Sequence, residues 1–189
     1  MMKISKEQVA ENRKLILDAA ARMFRERGFE GVTVAEVMKA AGLTHGAFYG
    51  HFTSKDDLLA QAFAHTLAPY SGPDAPGINF DAFADGYLST QHRDNPGIGC
   101  LFPTLAQEAT RASEAARTTM TESARSQIET FSHSMAGETD VERRQAAVGN
   151  WAAMIGAVTL SRVLNDPAMS DQILADVKQW LDRANAVEK

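Results

Sequence analysis

The side chains with the most chemistry to offer lie close together near the amino end. Over residues 33–52 the chain reads Thr-Val-Ala-Glu-Val-Met-Lys-Ala-Ala-Gly-Leu-Thr-His-Gly-Ala-Phe-Tyr-Gly-His-Phe. The polar members are types that touch duplex nucleic acid. The hydroxyls of Thr33 and Thr44 can bond phosphate oxygens, His45 and Tyr49 can reach base edges or a thymine methyl, and Lys55, just beyond, is a point charge for a phosphate. Gly46 and Ala47 carry almost no side-chain bulk, so the backbone there can lie close to a groove. That choice goes against propensity, since each glycine costs a helix about 1 kcal/mol relative to alanine. His51 is equally suited to touching DNA and to bracing a helix end. His45 has a plain alternative as a solvated side chain, and Lys39 reads as merely exposed.

A second group of residues could hold a small molecule. Tyr87, His92, Cys100, Phe102, Gln107, Met120 and Trp151 are candidate pocket residues, with Phe83, Phe131, Met154 and Glu108 as further apolar or polar neighbours. Cys100 is the single cysteine, which excludes an intrachain disulfide and a multi-thiolate zinc site and fits a reducing compartment. Two readings of it stay open. Near a helix start its thiol pKa would fall and favour attack on electrophiles, whereas a free cysteine is also commonly just a small buried residue. Enzymatic chemistry finds little support. Glu129 and His133 stand four apart, but no second such pair exists, and a His-Glu-x-x-His motif, a glycine-rich phosphate loop and a serine nucleophile elbow are all missing. No enzyme activity, cofactor or metal is expected.

These residues need helices to position them, and the apolar pattern supplies only helical periods. A first helix is predicted over about 6–27, with Val9, Ile16, Ala20, Met23 and Phe24 on one face and Gly28 as its stop. Thr33 with Glu36 has the form of a capping box for a short second helix, and Gly42 ends it in a tight turn. Thr44 can cap a third helix reaching His51, and Ser54 a fourth carrying Leu58, Leu59, Ala62 and Phe63. Two short helices joined by a tight turn make a helix-turn-helix, whose second helix enters the major groove. Phe48 and Phe52 would anchor that helix from behind. The proline- and glycine-rich run at 69–79 reads as a linker, followed by helices near 80–91, 105–110, 114–135, 141–164 and 171–184. The small-residue stripe Gly149, Ala152, Ala153, Gly156, Ala157 and Leu160, and the apolar face Ile173, Leu174, Val177 and Leu181, suit pairing with a second copy.

The chain has 189 residues, 44% of them hydrophobic and 23% charged, which is ordinary globular composition and gives no support to disorder or a membrane channel. The polar start and the lack of a long apolar run predict no membrane association and a cytoplasmic location. Net charge is −5, unevenly placed: residues 1–66 hold nine Lys and Arg against eight Asp and Glu, and the remainder ten against sixteen. Bulk charge therefore does not hold this protein on DNA, and a few well-placed groups near the amino end must do so.

The residues at this point resemble the tetracycline-repressor (TetR/AcrR) family of bacterial transcription factors. The resemblance runs through the first 65 residues: Ile16-Leu-Asp-Ala-Ala with Phe24 and Gly28-Phe, Thr33-Val-Ala-Glu-Val, Ala40-Ala-Gly-Leu, Gly46-Ala-Phe-Tyr with His51-Phe, and Ser54-Lys-Asp-Asp-Leu-Leu. A weaker likeness covers Gly99-Cys-Leu and the segment from Ile155-Gly-Ala-Val-Thr-Leu-Ser-Arg to Asp166-Pro-Ala-Met-Ser-Asp-Gln-Ile-Leu. His45 departs from the lysine, arginine or other polar residue common at that place. The resemblance implies an all-α chain: a three-helix helix-turn-helix DNA-binding domain over 1–66, with the motif at about 33–52, and a helical effector-binding and dimerisation domain over 67–189. It also implies a homodimer on a palindromic double-stranded operator, released by a small-molecule effector. The alternative is a helical homodimer that binds a ligand or partner and no longer reads DNA specifically.

Overall fold

A computed structural model describes residues 5–70 and 79–186. The described residues form helices joined by short turns, with no strand among them. Helix α1 (Lys6–Arg27) starts at Ser5, whose side chain accepts from the Gln8 N–H, and ends at Gly28 with φ +75°, a conformation that favours glycine. Its predicted apolar face is buried from Ile16 to Phe24, but Val9 is exposed because the first turns of α1 project beyond the core. Helix α2 (Val34–Ala40) has the full capping box: Thr33 Oγ1 accepts from the Glu36 N–H while the Glu36 carboxylate accepts from the Thr33 N–H at 2.8 Å. Hydrogen bonds donated to it by the Thr33 hydroxyl and then the Thr33 N–H, followed by one from Arg27, hold the Glu36 carboxyl at about 2, well below its ordinary value. Gly42, with φ +74°, makes the turn after α2.

The third predicted helix is a 3-10 segment, His45–Gly50, and Thr44 makes no side-chain cap bond to it. Two glycines in six residues leave too little propensity for a regular α-helix, so packing rather than capping holds the segment. Helix α3 (Lys55–Leu67) is capped by Ser54 and lies against α1. Buried Phe24, Phe48 and Phe63 each contribute roughly 1.5–3 kcal/mol through removal of apolar surface from water. Polar ties also join α1 to α3: His65 Nε2 meets Asp18 Oδ1 at 2.6 Å, and Arg13 donates to Gln61.

The linker predicted at 69–79 falls mostly on residues 71–78, which lie outside the described residues. Beyond it come α4 (Phe80–Tyr87), α5 (Thr90–Asp94), α6 (Phe102–Ala109), α7 (Glu114–Ser132), α8 (Asp140–Val163) and α9 (Pro167–Ala186). The helix predicted over 80–91 is two, because the Ser89 side chain caps α5 through the His92 N–H and starts a new direction. Helix α6 begins earlier than predicted, with Pro103 in its first turn, where a missing N–H does no harm. The last helix also begins early, at Pro167, by the same rule. Two apolar cores result. One joins α1, α2, the 3-10 segment and α3 with Leu101, Leu105, Ala109, Ala116 and Met120, so the amino-terminal unit is closed partly by α6 and α7. The other gathers α4, α8 and α9 around Phe131 and Trp151.

Candidate nucleic-acid interface and ligand chamber

The segment after Gly42 stands on an apolar base. Phe48 and Phe52 are 1% and 2% exposed and their rings stack at 5.6 Å, with the Arg13 guanidinium of α1 over Phe52 at 5.3 Å. Fixing these two rings turns the rest outward. Thr44, His45 and Gly46 are exposed, Ala47 is half-buried and Tyr49 is 71% exposed. The Tyr49 ring sits edge-on to His45 at 6.4 Å and to Phe48 at 5.3 Å, so an exposed aromatic hydroxyl stands beside the glycine turn. A Cβ added at Gly46 would meet nothing within 4 Å, which leaves that backbone open to close approach from outside.

The flanking candidates are placed differently. Thr33 is exposed, but its hydroxyl donates to Glu36 Oε2 at 2.7 Å and accepts from the Glu36 N–H, so a phosphate would have to share it with the capping box. Lys55 is half-buried, with Nζ over the Phe29 ring at 4.1 Å. That cation–π contact competes with a phosphate and keeps the ammonium at the edge of the reading surface. His51 is half-buried against Phe52 at 6.2 Å, at the foot of the segment rather than on its outer face. Lys39 is exposed.

A chamber of about 900 Å³ lies between this unit and the carboxyl-terminal helices. Of the candidate pocket residues, Tyr87, His92, Cys100, Phe102 and Trp151 line it, and Phe83 joins them. Gln107 and Met120 do not. Gln107 is exposed on the outer side of α6, and Met120 is packed into the amino-terminal core, because α7 lies against α3. Glu108 is also elsewhere: both of its carboxylate oxygens accept from the Phe29 N–H, at 3.0 and 2.9 Å, and tie α6 to the end of α1. Phe131 and Met154 are fully buried core.

The chamber wall is strongly ordered around His92. Its Nδ1 lies 2.7 Å from the Tyr87 carbonyl and its Nε2 accepts from the Cys100 N–H at 3.0 Å, an arrangement that requires the neutral ring with its proton on Nδ1. Burial lowers the His92 pKa, and the Arg162 charge adds to this against the bond to the Tyr87 carbonyl. Arg162 of α8 donates to the carbonyls of Arg93 and His92, both at 2.9 Å, and Arg25 of α1 reaches the Gly99 carbonyl at 3.3 Å. Cys100 is half-buried in this wall. Burial pushes its thiol pKa up, outweighing the hydrogen bonds from Tyr87 and the Phe102 backbone and the charges of Arg25 and Arg162. Of the two readings of Cys100, this supports the small buried residue, because desolvation of the thiolate exceeds what the helix end offers.

Arg25, Arg162 and Gln127 were missed in sequence. Gln127 alone carried a signal: it falls in phase with Met120 and Phe131 on the inward stripe of α7, where a polar side chain needs a reason. Among the described residues no group of three His, Cys, Asp or Glu could hold a metal ion, and no helix is long and apolar enough to cross a membrane.

This geometry defines a class: an all-helical protein with an outward-facing helix-turn-helix at its amino end and a chamber behind it. The family model of bacterial regulatory proteins of the tetR family matches residues 16–62. It is 41% identical over 61 residues to the HTH-type transcriptional regulator AcrR of Shigella flexneri, covering 32% of this chain and 28% of that protein. Against the HTH-type transcriptional repressor BepR of Brucella suis it is 38% identical over 68 residues, covering 36% and 32%. The chain thus spans about a third of the length of these curated relatives. The fold likeness is wider. A TetR transcriptional regulator from Chloroflexus aurantiacus superposes with a TM-score of 0.73 over 93% of this chain and 96% of that one at 22% identity. One from Legionella pneumophila gives 0.72 over 98% and 100% at 17% identity.

Proposed function

We propose that this protein is a ligand-responsive, DNA-binding transcription regulator, a repressor that holds a palindromic operator as a homodimer and leaves it when a small molecule fills the chamber. The observation that carries this reading is the outward-facing Thr44–Tyr49 stretch, fixed from behind by Phe48 and Phe52 and unobstructed at Gly46. Residues 1–66 act as the reading domain. Gly46 and Ala47 admit the groove edge, Thr44, His45 and Tyr49 contact bases and phosphates, and Thr33, His51 and Lys55 hold the rim.

One such unit offers few base contacts, so two copies on half-sites about one or more helical turns apart are required for specificity. The exposed faces of α8 and α9 support pairing. Val148, Leu160 and Val163 on α8, with Met169 and Trp180 on α9, leave apolar side chains in water on two neighbouring helices. The chamber, near 900 Å³, matches the roughly 300–1,000 Å³ of small-molecule sites and is walled partly by α1 of the reading unit itself. Such a regulator works in the cytoplasm, where it meets its operator.

The test is salt-titrated binding to a duplex taken from upstream of the protein's own gene. Affinity for that duplex should exceed affinity for unrelated DNA and fall steeply with salt, while His45 substitutions change sequence preference. Equal affinity for both duplexes at every salt concentration would leave the non-reading homodimer as the better description.

A further inference from the structure

The chamber holds more hydrogen-bond donors than acceptors to meet them. Tyr87 is only 6% exposed, and its hydroxyl lies beside the Cys100 thiol, a weak acceptor, with no other partner among the described residues. Burial pushes the Tyr87 pKa far up, so Oη keeps its proton and stays a donor. Gln127 Nε2, also buried and on the chamber wall, has no partner either. The fixed charge near Tyr87 is positive. Arg162 stands near enough to act on Tyr87 and Cys100, and Arg25 acts on Cys100 as well. Arg162 bonds only backbone carbonyls, forms no ion pair among the described residues, and keeps Nη1 without a partner. His92 contributes no free proton or lone pair, since both ring nitrogens are used. Asp18, the acid of the chamber wall, is already taken by Lys14 and His65. The remaining walls are apolar and aromatic, with Phe102 edge-on to Trp151 at 4.7 Å and Phe83 beside Tyr87 at 5.5 Å.

Buried donors near a guanidinium that makes no direct ion pair among the described residues, with Asp94 acting on it only at a distance, are unfavourable until an acceptor, best an anionic one, arrives. A cationic ligand would meet repulsion from Arg162, and a purely apolar one would leave the donors as they are. We propose that the chamber takes an amphiphilic anion: an aromatic or other apolar body ending in a carboxylate, one oxygen of which accepts from Tyr87 Oη in the field of Arg162. This rests on the chamber being the effector site and names the chemistry of that effector.

The test uses the full chain without DNA and three fluorescent probes that share one aromatic body: pyrenebutyrate, pyrenebutanol and pyrenebutylamine. Pyrenebutyrate should bind saturably and at least about tenfold more tightly than the alcohol, with the amine weakest, as expected for a charge-assisted hydrogen bond. Tyr87→Phe should remove most of the preference for the acid, weakening the acid far more than the alcohol, whose neutral oxygen gains less from the same donor, and thermal melts show that the variant is folded. Equal binding of the acid and the alcohol by the unaltered protein would overturn the proposal, as would a Tyr87→Phe protein that keeps the full preference. Because no DNA is present, either outcome is independent of operator binding. A protein that reads its operator but binds none of the probes would lose this proposal and keep its role on DNA.

Discussion

Gly46 separates what the fold needs from what the reading surface needs. Its φ is not in the left-handed region, and a Cβ built on it meets no atom within 4 Å, so Gly46→Ala and Gly46→Leu fit the isolated protein without strain. Replacing glycine at such a site reduces the freedom of the unfolded chain and stabilises by about 0.4–1 kcal/mol. For a chain of this length that corresponds to a rise in Tm of roughly 1–4 °C. In the proposed DNA complex the same open space is where the groove edge lies. Alanine places a methyl there, and leucine a side chain that fills the approach. Affinity for the upstream duplex should fall about tenfold for alanine, taking about 1–3 kcal/mol as the worth of a good base contact, and further for leucine. Fluorescence anisotropy at a fixed salt concentration reads the affinity, and a thermal melt reads the stability of the same samples. The expected signature is opposite movement, with melting up and DNA binding down. If Gly46→Leu binds the duplex as tightly as the parent, the glycine turn does not face the groove and the assignment of the reading surface is wrong.

Three further outcomes follow from the packing. Glu108→Gln weakens the carboxylate that takes the Phe29 N–H and should lower unfolding free energy by about 1–2 kcal/mol in urea denaturation, and an unchanged midpoint would mean the tie is replaced by solvent. His92 is held neutral, with a folded pKa below its ordinary value of about 6.5. On acidification the unfolded chain therefore takes up this proton first, so the His92 contribution to stability is complete above about pH 6.5 and is lost as pH falls through the folded pKa. Melts of the parent against His92→Gln between pH 8 and 5 check this, and parallel curves would remove the assignment. Val163 is 77% exposed at the end of α8, and Leu160→Glu with Val163→Glu should convert the dimer to monomer in sedimentation while leaving helicity intact, whereas a variant that still sediments as a dimer places the interface elsewhere.

The sequence carried most of the amino-terminal half because its signals there are local. Caps at Thr33 and Ser54, stops at Gly28 and Gly42, and an apolar phase fixed by Ile16, Phe24, Phe48 and Phe63 each act within a turn or two of chain. Where a residue's role depends on distant chain, the pattern was silent. Met120 looks like a pocket residue from its type, and only the placement of α7 against α3 sends it into the first core. Glu108 looks like a ligand contact until the end of α1 is seen to need an acceptor for Phe29. Thr44 has the right chemistry for a cap, but the glycine-rich turn that follows is 3-10 and gives it no N–H in reach. Sequence left Cys100 open between two readings for the same reason: helix starts are visible in sequence, and desolvation is not.

The architecture also constrains how a filled chamber can reach the reading surface. Coupling requires that a ligand favour one arrangement of the two units over another, so the contacts that cross between them decide what it can do. Three cross here. Arg25 of α1 holds the Gly99 carbonyl, Glu108 of α6 holds the Phe29 N–H, and Gly97 is pressed so closely on α1 that an added Cβ would lie 2.4 Å from Glu26 Oε1. Two of these belong to the segment between α5 and α6, whose other end is fixed by the Cys100 N–H bond to His92 and so to Tyr87 and Arg162. Under the proposed chamber reading, a ligand headgroup at Tyr87 acts on a segment with no slack toward α1, and a shift of that segment must move α1 or break the Arg25 bond. Since α1 packs on Phe52 through Arg13 and on α3 through Asp18, moving α1 re-aims the Thr44–Tyr49 stretch as a unit rather than loosening it. In a symmetric pair, the quantity that changes is the separation and tilt of two rigid heads, to which a duplex with fixed half-site spacing is sensitive.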